Sequence, residues 1–252
     1  MAAWVSMLFL ALGIEALYQR HLWLLFAVSV VVSQEVRARG RAALGGQRPL
    51  RVLVATTVAG TVQAFLLPHI ARLKERGVEV EVACNTRNRA VTGRIRDHGV
   101  VVHHLPLRRQ PLSWGNLRGF FRSVKLIRRG GYTAVHVHTP VAGFLGRLAA
   151  RLGDPRAVTL YTAHGFHFHP GRSWLGNLPF LALERLAGRW TDYLMVINRQ
   201  DQAAARRSTS CNMPPAGRRQ GPRTSRCGSG TSSGAEGAWC RYSRSRSAGA
   251  GR

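Results

Sequence analysis

The sequence has almost no lysine, few acids, few cysteines and no single apolar run long enough to span a bilayer. Only Lys74 and Lys125 are lysines, leaving 35 arginines among the 37 Lys+Arg, and 11 Asp+Glu bring the formal net charge to +26 over 252 residues. Arginine in such excess over lysine reflects a GC-rich coding bias more than a selected basic surface. A nucleic-acid interface would gather basic residues and aromatics on one face. Here the arginines run along the whole chain, which argues against specific nucleic-acid binding. The cysteines, Cys84, Cys211, Cys227 and Cys240, form no CxxC pair. That spacing excludes a zinc ribbon and a disulfide framework and fits a reducing cytosol. No basic residue precedes the first apolar run, so a cleaved signal peptide is not expected.

Residues 1–47 read as an apolar extension and linker. Ala2–Leu17 and Leu22–Val32 are each shorter than the ~20 residues that a spanning helix needs. Read as one span they would place Glu15 and Arg20 in the membrane, at about 2.5–3.5 kcal/mol each. Three readings stay open: a weak membrane anchor with Arg37, Arg39 and Arg41 on the cytoplasmic side, an interfacial hairpin, or translated sequence upstream of the true start.

Residues 48–207 alternate short apolar runs with helical stretches. Strands are expected at Arg51–Thr57, Val78–Ala83, Gly99–His103, Ala134–His138, Ala157–Thr162 and Tyr193–Ile197. Helices are expected at Val62–Arg76, Arg87–Asp97, Ser113–Arg129, Val141–Leu152, Leu175–Arg189 and from Arg199. Repeated βαβ units with right-handed crossovers predict an α/β, doubly wound, Rossmann-like parallel sheet. Residues 208–252 break the pattern. They contain no Leu, Ile, Val or Phe, but nine Ser, eight Arg and eight Gly. Such a segment buries too little apolar surface to order itself. It reads either as a frame-shifted product replacing a second domain after Arg207, or as a functional Arg/Ser tail.

In a doubly wound sheet the residues following each strand carry the chemistry. After the first strand comes Gly60-Thr61, either a turn that brings backbone close to a phosphate or a plain strand-to-helix connection. After the fourth comes His136-Val137-His138-Thr139-Pro140, with proline suited to a helix start and Gly143 and Gly146 sharing one helix face. After the fifth comes His164-Gly165-Phe166-His167-Phe168-His169. Five histidines at neighbouring strand ends are either metal ligands or an anion-facing polar rim. No carboxylate has metal-motif spacing to them, so no metal site is assigned.

The segments RVLVATTVAGTVQAFLLPHIARLKERGVEVEVAC, VHVHTPVAGFLGRLAAR, LYTAHGFHFHPG and LPFLALERLAGRWTDYLMVINRQD occur in the order found in family 4 glycosyltransferases. They resemble the N-terminal, acceptor-side domain, in the bacterial branch that builds capsule, exopolysaccharide and lipid-linked oligosaccharides. The resemblance implies half of a GT-B architecture and retaining, metal-independent transfer from a nucleoside-diphosphate sugar, such as a UDP-sugar, to a glycan or polyprenyl-linked acceptor. No resident cofactor is implied. His164 matches the histidine beside the transferred sugar, where it is expected to be catalytic. Gly60 and Thr61 match the loop near the donor phosphates. His138, Thr139, Gly165, Phe166 and His167 match the acceptor-facing cleft.

The same resemblance implies work at the cytoplasmic face of the plasma membrane, which the basic 113–129 helix also suits. The acidic pair of a donor-binding domain has no match after Arg207, where only Glu236 stands. The chain alone is therefore expected to be inactive. The rival reading is a non-catalytic acceptor- or partner-binding module whose basic tail takes polyanions.

Overall fold

The computed structural model describes residues 50–166, 168, 173–196, 199–208 and 238–241. Strand β1 (Arg51–Val58) is buried from Val52 through Thr57, so it is covered on both faces. Val52 and Val54 face one apolar cluster with Val62, Leu66, Ile70 and Ile95. Leu53 and Ala55 face a second cluster with Ile127, Ala142, Ala149 and Ala150. The helices contributing these residues divide accordingly. Helix α1 runs through Ala59–Thr61, a wider π turn at Val62–Leu66, and Leu67–Glu75. It lies on the first face with α2 (Arg89–Asp97), whereas α3 (Trp114–Gly130) and α4 (Pro140–Gly153) cover the second. The π turn sits just ahead of Pro68, which has no N–H for the regular ladder.

The remaining elements are β2 (Glu79–Asn85), β3 (Val101–His104), β4 (Ala134–His138), β5 (Val158–Ala163), α5 (Trp174–Gly188), β6 (Tyr193–Val196), α6 (Arg199–Ser208) and β7 (Ala238–Arg241). The strand order is β3-β2-β1-β4-β5-β6-β7. All pairings up to β6 are parallel, and β7 adds antiparallel to β6. This is the doubly wound, Rossmann-like sheet that the alternation predicts. Three helices start where a side chain replaces a missing backbone partner: Asn88 accepts from Val91 N, Ser113 from Gly115 N and Ser173 from Gly176 N. Gly131, at φ 59°, ends α3 in the left-handed conformation that glycine adopts without strain.

The structure moves several expected boundaries. The Gly60-Thr61 connection is already the first turn of α1, so the turn expected after β1 is helical. On α3 the buried residues are Asn116, Gly119, Ser123 and Ile127, while Leu117 and Phe121 are exposed. The stretch expected to lack order contributes β7, placed against the otherwise open side of β6 around Trp239 and Cys240. The rest of 209–252, and all of the apolar extension at 1–47, lies outside the described residues. Among the described residues no helix is long and apolar enough to cross a membrane.

At the amino end of the strands, Glu81 ties three strands and a turn together. It accepts from Tyr132 Oη at 2.6 Å and Arg51 Nη2 at 2.5 Å, and pairs with His103 Nε2 at 2.6 Å. Burial works against its charge, but the bonds from Tyr132, His103 and Arg51 outweigh that and hold its pKa below the ordinary carboxylate value.

Candidate functional site

The chain leaves β1 toward β2 and β3, then returns to place β4 on β1's other side. Helices therefore diverge above the carboxyl ends of β1 and β4, and a crevice opens there. Two threonines bridge it. Thr57 and Thr139 share a hydroxyl–hydroxyl hydrogen bond of 2.7 Å, and Thr57 N donates to the Thr139 hydroxyl at 3.3 Å. Thr139 stands at φ 64° and ψ 152°, a region that side chains other than glycine's rarely enter. Its hydroxyl is turned toward Thr57 and does not cap α4. The first N–H groups of α4 consequently point along the helix axis into the crevice, a setting that favours an anion.

His136, His138 and His164 gather on the α1 side of this crevice. His138 Nδ1 lies 3.1 Å from His164 Nε2, and the His136 and His138 rings pack at a tilt of 47° with centroids 4.0 Å apart. His136 Nε2 lies 2.8 Å from Thr162 Oγ1. Alternation along β4 puts His136 and His138 on one face, as expected, and both are buried. Burial drives the pKa of His136 down to about 3, helped by the neighbouring His164 and His69. It is therefore neutral at physiological pH, a hydrogen-bonding partner and not a charge. His164 is half-buried, with Phe65 of α1 at 6.3 Å between ring centroids. Among the described residues no group of three His, Cys, Asp or Glu side chains is arranged to hold a metal.

On the opposite side of the sheet a cavity of about 1060 Å³ opens between α3, α4 and α5. Its inner end is formed by Thr57, Thr61, Thr139 and Gly165, and its walls by aromatic and aliphatic side chains including Phe120, Phe144 and Phe166. One charged pair is sunk into this wall. Arg147 of α4 is 1% exposed; its Nη1 and Nη2 donate to Glu184 of α5 at 2.7 and 3.0 Å. Its Nε donates to the Gly143 carbonyl at 2.8 Å, and its guanidinium lies 4.0 Å from the Tyr161 ring centroid. Two glycines let α4 approach this closely: a Cβ on Gly143 would meet Tyr161 at 2.6 Å, and one on Gly146 would meet Val137 at 2.6 Å. Asp201 of α6 accepts from Phe166 N at 3.2 Å and holds the loop after β5.

Of the residues expected at a site, Thr61, Thr139, Gly165 and Phe166 line the cavity. His138 and His164 pair with each other on the sheet's other side. Gly60 stands in the first turn of α1, where an added Cβ would meet nothing within 4 Å, so no packing within the chain explains the glycine there. His167 lies outside the described residues. The aromatic walls and the Arg147–Glu184 pair were not anticipated. The signal available for the pair was one arginine in GFLGRLAAR and one glutamate in LALERLAG, each set among small or apolar neighbours.

Residues 60–218 match the family described as glycosyl transferase 4-like domain. The chain is 35% identical over 157 residues to a Bacillus subtilis protein named as the glycosyltransferase EpsD, covering 62% of this chain and 40% of that one. It is 31% identical over 87 residues to the UDP-Gal:alpha-D-GlcNAc-diphosphoundecaprenol alpha-1,3-galactosyltransferase of Escherichia coli, covering 34% of this chain and 22% of that one. The chain thus spans well under half the length of these relatives. A solved UDP-N-acetylglucosamine 2-epimerase is similar at a TM-score of 0.49 and 15% identity, over 67% of this chain and 45% of that one.

Proposed function

The chain belongs to the glycosyl transferase 4-like domain family, and from that premise we propose that it forms the acceptor-side wall of a sugar-transferring cleft. The donor is a nucleoside-diphosphate sugar such as a UDP-sugar, the acceptor a polyprenyl-linked glycan destined for the cell surface, and the product retains the donor's anomeric configuration. The observation that carries this reading is the crevice at the β1–β4 switch point, where an uncapped helix start and three threonine hydroxyls meet an apolar cavity. Hydroxyls and free N–H groups suit a saccharide and a diphosphate, and the apolar walls exclude water from the reacting groups.

In this reading His164 approaches the transferred sugar from the α1 side and fixes one hydroxyl by a hydrogen bond, with His138 holding its ring. Thr61, Thr139, Gly165 and Phe166 meet the acceptor from the cavity side. Gly60, beside Thr61, allows the donor phosphates near the α1 start. One wall cannot grip the nucleotide and align both substrates, so the described residues alone bind acceptor without turning it over. The enzyme works at the cytoplasmic face of the plasma membrane. Trp114, Leu117 and Phe121 form an exposed apolar stripe on α3, with Arg118, Arg122 and Lys125 beside it, as a helix resting on an anionic bilayer requires.

The test is binding of a water-soluble saccharyl diphosphate to the ¹⁵N-labelled chain. Amide shifts at Thr139, Gly165 and Phe166, lost in Thr139→Val, are the expected result. Shifts induced by UDP at this surface with none from the saccharyl diphosphate would show that the wall belongs to the donor, and the proposal would fall.

A further inference from the structure

The two ends of the sheet are built differently. At one end β3 carries His103 and His104 and is followed by Pro106, a residue that cannot donate to a ladder. At the other end β6 reads Tyr193-Leu194-Met195-Val196, four apolar residues that are all buried. Charges and prolines are what keep an edge strand from pairing with another chain, and β6 has neither. What covers its outer side is β7, a four-residue strand from a stretch without Leu, Ile, Val or Phe.

This cover is slight. β7 runs antiparallel to β6, with Leu194 opposite Cys240 and Met195 opposite Trp239. It stands last in the strand order, so β6 is its one ladder partner among the described residues. By contrast β1, β2, β4 and β5 each have two parallel neighbours. A short ladder paired on one side contributes little stability by itself. Residues 209–237 nevertheless tether β7 to the end of α6, and a tethered strand competes at an effective concentration on the order of millimolar. In dilute solution the chain's own strand therefore wins the β6 edge over any separate molecule.

We infer that the outer edge of β6 is a self-association surface whose partner is β6 of a second copy, and that β7 is a removable cap holding it closed. The fit of β7 demonstrates that this edge accepts an antiparallel strand. A two-fold axis normal to the sheet delivers a second β6 in that same direction and closes a dimer. Such an axis sets one residue, Leu194 or Met195, against its own copy and preserves the two faces. Tyr193 and Met195, which belong to one apolar cluster, then meet their counterparts, as do Leu194 and Val196 of the other. The inference is independent of what the crevice between β1 and β4 binds.

Sedimentation velocity of the full chain in reducing buffer, paired with hydrogen–deuterium exchange of the peptide containing Tyr193–Val196, tests it. The intact chain is expected to be monomeric at about 100 µM, roughly tenfold below the effective concentration of its tethered strand. The double variant Trp239→Pro with Cys240→Pro removes ladder donors from β7 whichever of the two faces β6. In it the β6 amides are expected to exchange at least about tenfold faster at about 1 µM. At about 100 µM a dimer is expected, with those amides protected again, and about 2 mM of a synthetic peptide of residues 236–243 should return it to monomer. A variant that stays monomeric at the higher concentration overturns the inference. So does a dimer whose β6 amides still exchange fast, a dimer that the peptide leaves intact, or an intact chain that is already dimeric. A variant that circular dichroism finds unfolded overturns it too, because β7 would then belong to the core and not be a cap.

Discussion

Replacing Thr139 by alanine and by glycine should reverse the usual order of those two residues. At φ 64° and ψ 152°, a side chain carries strain of about 1–3 kcal/mol. The 2.7 Å hydroxyl pair with Thr57 returns about 1 kcal/mol of that. Thr139→Ala keeps the strain, loses the pair, and should destabilise by about 1–2 kcal/mol. Thr139→Gly loses the same pair and releases the strain, while the freer unfolded chain takes back about 0.4–1 kcal/mol. The glycine variant should therefore be more stable than the alanine variant by about 1 kcal/mol, where alanine is normally favoured by about 0.5–1 kcal/mol. Urea unfolding followed by far-UV circular dichroism measures the gap. With slopes of about 1–3 kcal/mol per molar, the midpoints should separate by about 0.3–1 M. Thr139→Ser, which keeps the hydroxyl, should fall near the unsubstituted protein. A Thr139→Ala midpoint equal to or above that of Thr139→Gly would refute the reasoning, because the strained backbone would then be absent in solution.

Acidification should expose the buried histidine. His136 has a folded pKa of about 3 against an ordinary 6.5, so between those values the unfolded chain takes up a proton that the folded chain refuses. Its contribution is fully present above pH 6.5 and falls by about 1.4 kcal/mol per pH unit below it; urea midpoints for His136→Asn should lack that slope. Glu184→Gln should cost about 3–5 kcal/mol by leaving Arg147 charged and buried, while the double change Arg147→Met with Glu184→Leu should recover most of it in the same unfolding assay. Gly146→Ala should destabilise by about 1–3 kcal/mol, because the new methyl meets Val137, and Val137→Ala should relieve part of the loss. Burial pushes the Cys84 thiol up to about 12, so peptide mapping should find Cys84 unalkylated by iodoacetamide at pH 8 in the folded protein and alkylated in urea.

The sheet was legible in the sequence because its strands are buried on both faces. Runs such as RVLVATT and AVHVH have no solvent side and stand apart from the helical stretches. Ala134–His138 was placed without error, whereas α1 began three residues before the expected Val62, because Ala59, Gly60 and Thr61 carry no helix-start signal. The threonines and histidines at the strand ends could be read from position alone, as strand ends in this topology meet the crevice. Which side of the sheet each would face could not. His164 and Phe166 are two residues apart, yet one packs toward α1 and the other lines the cavity, since the chain leaves its strand geometry between them at Gly165, where φ is 132°. The cavity itself arises where α3, α4 and α5 fail to close on one another, which no single segment encodes.

The bond between Thr57 and Thr139 joins residues 82 positions apart, and this separation governs when the crevice can exist. During synthesis β1 can pair with β2 early, but its other neighbour arrives only after two further helices and a strand have emerged. Contacts this distant form late in folding because the intervening chain must first be closed into a loop. The crevice is therefore a property of the completed fold, with no partial version on the growing chain. Any ligand that settles between β1 and β4 binds the native state alone, and its affinity is returned directly as resistance to global unfolding.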